Sequence, residues 1–216
     1  MHKHLLLFLV SFSLFNLSAS AKVNTDSFEG SINLLRESVF DTTHITIMVK
    51  GSLARVDEVD KDNRLVSRRL IDLEKNTVVA LSPQQKLYTN LQVSNLPKVN
   101  RAGVEVRKTE NYKEINGYKC YQWRVKDVQR NTEVAFWVAN ESFEFFEQVI
   151  QLLNRTEQSL TLYQVIPEND GFFPMLTEER TLLRKEKLKI SVVDISRTNL
   201  SAKLFEIPEG YQSLRQ

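Results

Sequence analysis

The chain has 216 residues, with 29 Lys and Arg against 27 Asp and Glu, a formal net charge of +2 and a single cysteine. That near-balance gives no basic footprint for nucleic acid or for anionic lipid. A lone cysteine excludes an internal disulfide framework.

The first element in chain order is a targeting segment. MHKHLLLFLVSFSLFNLSASA carries one lysine and two histidines, an apolar run from Leu5 to Phe15, and Ala19-Ser20-Ala21, the small-x-small pattern of a cleavage site. The run covers only about half of the roughly 30 Å hydrocarbon core, so it is too short for a membrane anchor. The pattern predicts a signal peptide over residues 1–21, cut after Ala21, and an exported chain from Lys22 to Gln216 forming a single domain. A lipoprotein signal would place a cysteine where Lys22 stands. No later segment is apolar enough to span a bilayer.

The exported part reads mostly as alternating β pattern. Strands are predicted over Phe28–Val39, Thr43–Lys50, Leu53–Val59, Leu65–Leu73, Thr77–Leu81 and Lys86–Leu91. Asp60 to Arg64 and Ser82-Pro83-Gln84-Gln85 supply turns among them. Val104–Thr109, Tyr118–Lys126 and Thr132–Val138 follow, with Asn116-Gly117 between the first two. Then the period changes. In NESFEFFEQVIQLLN, Phe143, Phe146, Val149, Ile150 and Leu153 recur at helical spacing, with Phe145 off that stripe. An amphipathic helix is predicted over Asn140–Asn154, capped by Asn140 or Ser142.

Thr156 to Pro174 gives no clear element, and Gly171-Phe172-Phe173-Pro174 reads as a loop. Two more strands are predicted over Met175–Arg184 and Leu188–Arg197, and Ser201 is placed to cap a short helical turn that Pro208 and Gly210 end. About ten antiparallel strands must curl, and the one apolar helix is placed to cover the concave face. The fold class is therefore mainly β, a curved antiparallel sheet forming a half-open barrel with a helix on its concave face.

The phrases FEGSINLL, IDLEKNTVVALSPQQKLYTNL, EINGYKCYQWRV and LSAKLFEIPEGY carry a resemblance in order and spacing. They resemble a family of exported bacterial proteins described as domain of unknown function 4412, which in turn is similar to the superfamily of periplasmic lipoprotein carriers and receptors of the Lol system. The resemblance implies a periplasmic, LolA-like half-barrel whose interior holds acyl chains or another apolar ligand. The predicted helix and the 156–174 segment go beyond the family's shorter pattern.

Chemistry-bearing residues are sparse. His44 is the only histidine beyond the signal peptide and reads as an ordinary strand residue, so neither a nucleophilic pair nor a zinc site can be assembled around it. Asp57, Glu58, Asp60 and Asp62 lack the glycine and glutamate of a calcium loop and read as a solvated turn. Cys120 could be a redox thiol, an intermolecular bridge or a small packed residue. Alternation sets Tyr121, Trp123 and Val125 on the face opposite Cys120, Gln122 and Arg124, and the packed residue is preferred.

The expected function is that of a non-enzymatic envelope protein without cofactor or metal. It binds a lipid or the acyl group of a lipoprotein at Phe143, Phe146, Val149, Ile150 and Trp123. A protein-interaction module with a filled barrel is the alternative. An enzyme using dispersed carboxylates comes third.

Overall fold

A computed structural model describes residues 27–93, 102–153 and 158–214; the expected signal peptide lies outside them. The strands are β1 (Gly30–Ser38), β2 (Thr42–Lys50), β3 (Leu53–Asp60), β4 (Leu65–Asp72), β5 (Thr77–Ser82), β6 (Leu87–Leu91), β7 (Val104–Ile115), β8 (Tyr118–Asp127), β9 (Thr132–Asn140), β10 (Phe172–Arg180), β11 (Glu186–Ser196) and β12 (Gln212–Ser213). Two helices, α1 (Phe145–Leu153) and α2 (Gln158–Tyr163), separate β9 from β10.

All twelve strands form one sheet, in the order β12-β6-β5-β4-β3-β2-β1-β11-β10-β9-β8-β7. It consists of two meanders, β1 to β6 and β7 to β11, sewn together where β1 pairs antiparallel with β11 from Ser31↔Ser196 to Ser38↔Leu188. Gly30 stands at the head of that seam with φ +142°, and a Cβ there would lie 2.0 Å from the Ser196 carbonyl oxygen. Only glycine tolerates so close a backbone approach.

Alternation decides which face is apolar. Ile47 stands opposite Ile32 of β1 and Val56 of β3, and all three are buried. With Leu34, Ile45, Val49 and Ala54 they make the concave wall against which the helices pack. Each such side chain contributes about 1.5–3 kcal/mol by leaving water.

Among the described residues the segment after β11 covers part of the convex face. Arg55 and Asp57 point away from the core and meet Arg68 of β4, and Arg55 donates to the carbonyl of Leu204 at 3.0 Å. Leu204 belongs to the 3-10 turn Ala202–Phe205, whose Phe205 is buried. The short turn expected after Ser201 is there, although the Ser201 side chain makes no capping bond.

Four expectations need correction. The helix begins at Phe145 instead of Asn140, because β9 continues through Asn140, which pairs with Phe172. Ser142 is a left-handed turn residue at φ +61° instead of a cap. Gly171 to Pro174 is not a loop: β10 starts at Phe172, and Phe173 is fully buried against Phe146 at a ring distance of 4.5 Å. Phe145, expected off the apolar stripe, is buried too, packed 5.5 Å from Phe28. The helix is covered on two sides, by the sheet and by this aromatic cluster, so its buried arc is wider than one stripe.

Candidate functional site

The helices do not seal perfectly onto the sheet. Between them lies a groove walled by Ile45 and Ile47 of β2, Val56 of β3, Ile190 of β11, Phe146, Val149, Ile150 and Leu153 of α1, and Leu160 of α2. Thr177 is the one polar side chain in its lining. The cavity is about 50 Å³. Drug-sized ligands occupy about 300–1,000 Å³, and a dry cavity of about 150 Å³ admits benzene. The groove is therefore closed to an acyl chain in this conformation.

One ion pair stands beside this apolar wall. Arg69 Nη1 donates to Glu58 Oε1 at 3.0 Å, and register places Glu58 opposite Ile45 and Arg69 opposite Val56. Burial lowers the pKa of the Arg69 guanidinium. A charge held half out of water next to an apolar groove can orient the polar end of whatever occupies it.

Of the residues expected at the site, Phe146, Val149 and Ile150 line the groove. Phe143 and Trp123 are buried elsewhere. Phe143 packs at 5.4 Å against Phe28, and Trp123 at 4.6 Å against Phe172 with the Lys108 ammonium 4.4 Å from its ring. Leu160, Val56 and Ile190 join the groove without a sequence signal, since nothing in their local pattern marks them apart from other core residues.

A second hollow, about 540 Å³, opens on the convex side where a bulge in β7 lifts Thr109 to Asn111. Its residues bond to one another. Thr109 Oγ1 donates to the Gln122 carbonyl at 2.8 Å, and Asn111 Nδ2 to Gln122 Oε1 at 3.4 Å. It is a wide polar trough, not an enclosed pocket.

Cys120 is a free, fully buried thiol that donates to the Tyr118 carbonyl at 3.3 Å. Burial pushes its pKa up to about 11, the reverse of what a nucleophile needs. The folded thiol keeps its proton while the unfolded one releases it near 9.0. Between those values the unfolded state binds fewer protons, so stability falls as pH rises through the window and is untouched below it. The wild type is expected to lose at most about 2–3 kcal/mol across this window from this group. Cys120→Ala should remove that part of the slope, as read from urea midpoints.

Among the described residues no group of three or more His, Cys, Asp and Glu gathers to hold a metal ion, and no helix is long and apolar enough to cross a membrane.

Comparison with known proteins adds fold and family. No relative matches among curated proteins. An uncharacterized conserved protein from Thermus thermophilus superposes over 89% of this chain and 93% of its own at 13% identity and a TM-score of 0.54. That likeness is one of fold. The complex of MucA and MucB from Pseudomonas aeruginosa gives 10% identity over 83% of this chain and 55% of that one, with a TM-score of 0.47. A putative outer membrane lipoprotein-sorting protein domain from Vibrio parahaemolyticus gives 7% over 82% and 87%, with a TM-score of 0.31. Neither of these two is close enough to argue from. The profile of the family described as domain of unknown function (DUF4412) matches residues 28–211, from the phenylalanine ahead of β1 to the residue ahead of β12, and the chain belongs to that family.

Proposed function

We propose that the chain is an exported, non-enzymatic envelope protein that takes up an apolar ligand, a lipid or the acyl group of a lipoprotein, between its two helices and the concave sheet. The observation that carries this is the groove lining: both meanders and both helices contribute to it, Thr177 is its one polar side chain, and none of its side chains titrates. Such a surface recognises hydrocarbon and offers no group for general acid-base or nucleophilic chemistry.

Because the cavity is only about 50 Å³, uptake on this reading requires α1 and α2 to move outward. Gln148 ties α1 to the sheet by donating to the Leu73 carbonyl at 2.5 Å and to Asn76 Oδ1 at 3.0 Å. The Glu58–Arg69 pair would meet the ligand's polar end. The same small volume also favours a second reading, an interaction module with a filled interior that recruits its partner along β7, the long free edge of the sheet.

Organic extraction of the protein purified from its native envelope, followed by mass spectrometry, separates the two. The first reading expects a stoichiometric lipid and uptake of a fluorescent fatty acid. Val56→Phe, which overfills the groove, should weaken that uptake by roughly tenfold or more while costing about 1–3 kcal/mol of stability. A lipid-free extract together with no probe uptake would leave the filled module.

A further inference from the structure

Antiparallel pairing brings five hairpin turns to one rim of the sheet, and they divide by chemistry. The turns at 60–64 and 82–86 are polar. In the former, Arg64 is bound to Asp60 at 2.9 Å and to Asp62 at 3.1 Å. The other three, β1–β2, β10–β11 and β8–β9, are adjacent in the strand order β2-β1-β11-β10-β9-β8. Each of these projects apolar side chains into water: Phe40 is 96% exposed, Val39 65%, Leu183 89% and Val128 52%.

Strands about 4.8 Å apart put neighbouring tips about 10 Å apart, so the three span about 20 Å. Scattered single apolar residues on a surface need no explanation, but apolar tips clustered along one rim do. Flexible loops could fold such residues away. These turns are braced: Asp41 is held by Arg36 at 2.8 Å, and the Thr181 and Lys185 backbones bond to each other at 2.8 Å.

The charges beside the tips are asymmetric. Asp41 is engaged by Arg36 and Asp127 by Arg130 at 3.1 Å, and Glu186, exposed beside Lys185, is outnumbered by the two cations that precede it. Arg184 and Lys185, next to Leu183, make no ion pair among the described residues. Apolar side chains that end a rigid scaffold, flanked by free cations, match the interfacial layer of an anionic bilayer: apolar groups enter about 5–10 Å and cations stay among headgroups.

We infer that this half of the rim docks the protein on an anionic lipid surface, inserting Phe40, Val39, Leu183 and Val128 and placing Arg184 and Lys185 against lipid phosphates. The surface is separate from the apolar groove, although Ile45 and Ile190 of the groove lie only a few residues from the docking turns.

Flotation of the purified chain with vesicles tests this, using phosphatidylethanolamine with phosphatidylglycerol in one arm and phosphatidylcholine alone in the other. The wild type should float with the anionic vesicles and far less with the neutral ones. The double variant Phe40→Ser, Leu183→Ser, altered only at exposed positions, should keep its melting temperature and lose at least about tenfold in vesicle affinity. Arg184→Gln with Lys185→Gln should lower binding to the anionic vesicles alone. Val56→Phe should float like the wild type.

A wild type that floats with neither vesicle overturns the inference, as does a serine variant that floats unchanged. If Val56→Phe abolishes flotation, lipid is held through the groove and the rim assignment falls. A wild type that is dimeric by light scattering and never floats, with a monomeric serine variant, would make the rim a contact between copies.

Discussion

Phe146→Ala is expected to lower the free energy of unfolding by about 3–5 kcal/mol. Phe146 is 4% exposed, lies 4.5 Å from the Phe173 ring and 5.5 Å edge-on from Tyr163, and forms part of the groove wall. Removing the ring forfeits its transfer energy and leaves a hole that helix and sheet cannot both close around. For a chain of this size the loss corresponds to a drop in melting temperature of roughly 6–20 °C. The hole adjoins a cavity that is already apolar, so the variant should bind a small hydrophobic probe better than the wild type does. A melting temperature unchanged by the substitution would mean that α1 is not docked on the sheet in solution.

A comparable loss is expected at the buried ion cluster on the convex face. Asp57 accepts from Arg55 Nε at 2.9 Å and from Arg68 Nε and Nη2 at 2.9 and 2.8 Å. Asp57→Ala would strand two guanidinium groups with no counter-charge, at a cost of about 3–5 kcal/mol. An exposed pair such as Lys75–Asp72, screened by solvent, contributes far less.

Acid should act on the same cluster. Burial alone would raise the Asp57 pKa, but the hydrogen bonds from Arg55 and Arg68 outweigh it and hold the carboxyl below its ordinary 3.8. Protons therefore bind the unfolded chain first. The stabilisation is present above the ordinary value and is lost as pH falls through the depressed one. Urea midpoints taken downward from neutral pH should fall steeply for the wild type, while Asp57→Ala should show a shallower decline from a lower start.

Much of the fold is legible in the sequence because strands such as β2 and β9 alternate buried and half-exposed side chains in a pattern that local reading alone can reveal. Legibility ends where the pairing departs from that period. The second half of β7 escapes a pattern reading because the bulge between Lys108 and Tyr112 resets which side chains face inward. The start of β10 looks like a loop because Gly171 and Pro174 bracket it, and a register shift between Pro174 and Leu176 is what accommodates the proline. The six residues of α2 are too few to declare a helical period.

At the groove, Phe146, Val149 and Ile150 can be named from sequence because one helix sets them on one arc. Ile45 and Val56 sit on the consecutive strands β2 and β3, but Ile190 comes from β11, and only the pairing of β1 with β11 brings it to the same wall.

The seam between β1 and β11 also governs how the protein can assemble itself. Each meander pairs neighbours in sequence and can form early through short-range contacts. The seam joins segments about 150 residues apart and raises the contact order of the whole sheet, the property that slows β-rich folding into the range of milliseconds to seconds. Ile45 and Val56 belong to one meander, Thr177 and Ile190 to the other. A folding intermediate with both meanders formed and the seam open has every strand of the groove and no groove, so ligand uptake should mark the final step and lag behind the gain of β structure after dilution from urea.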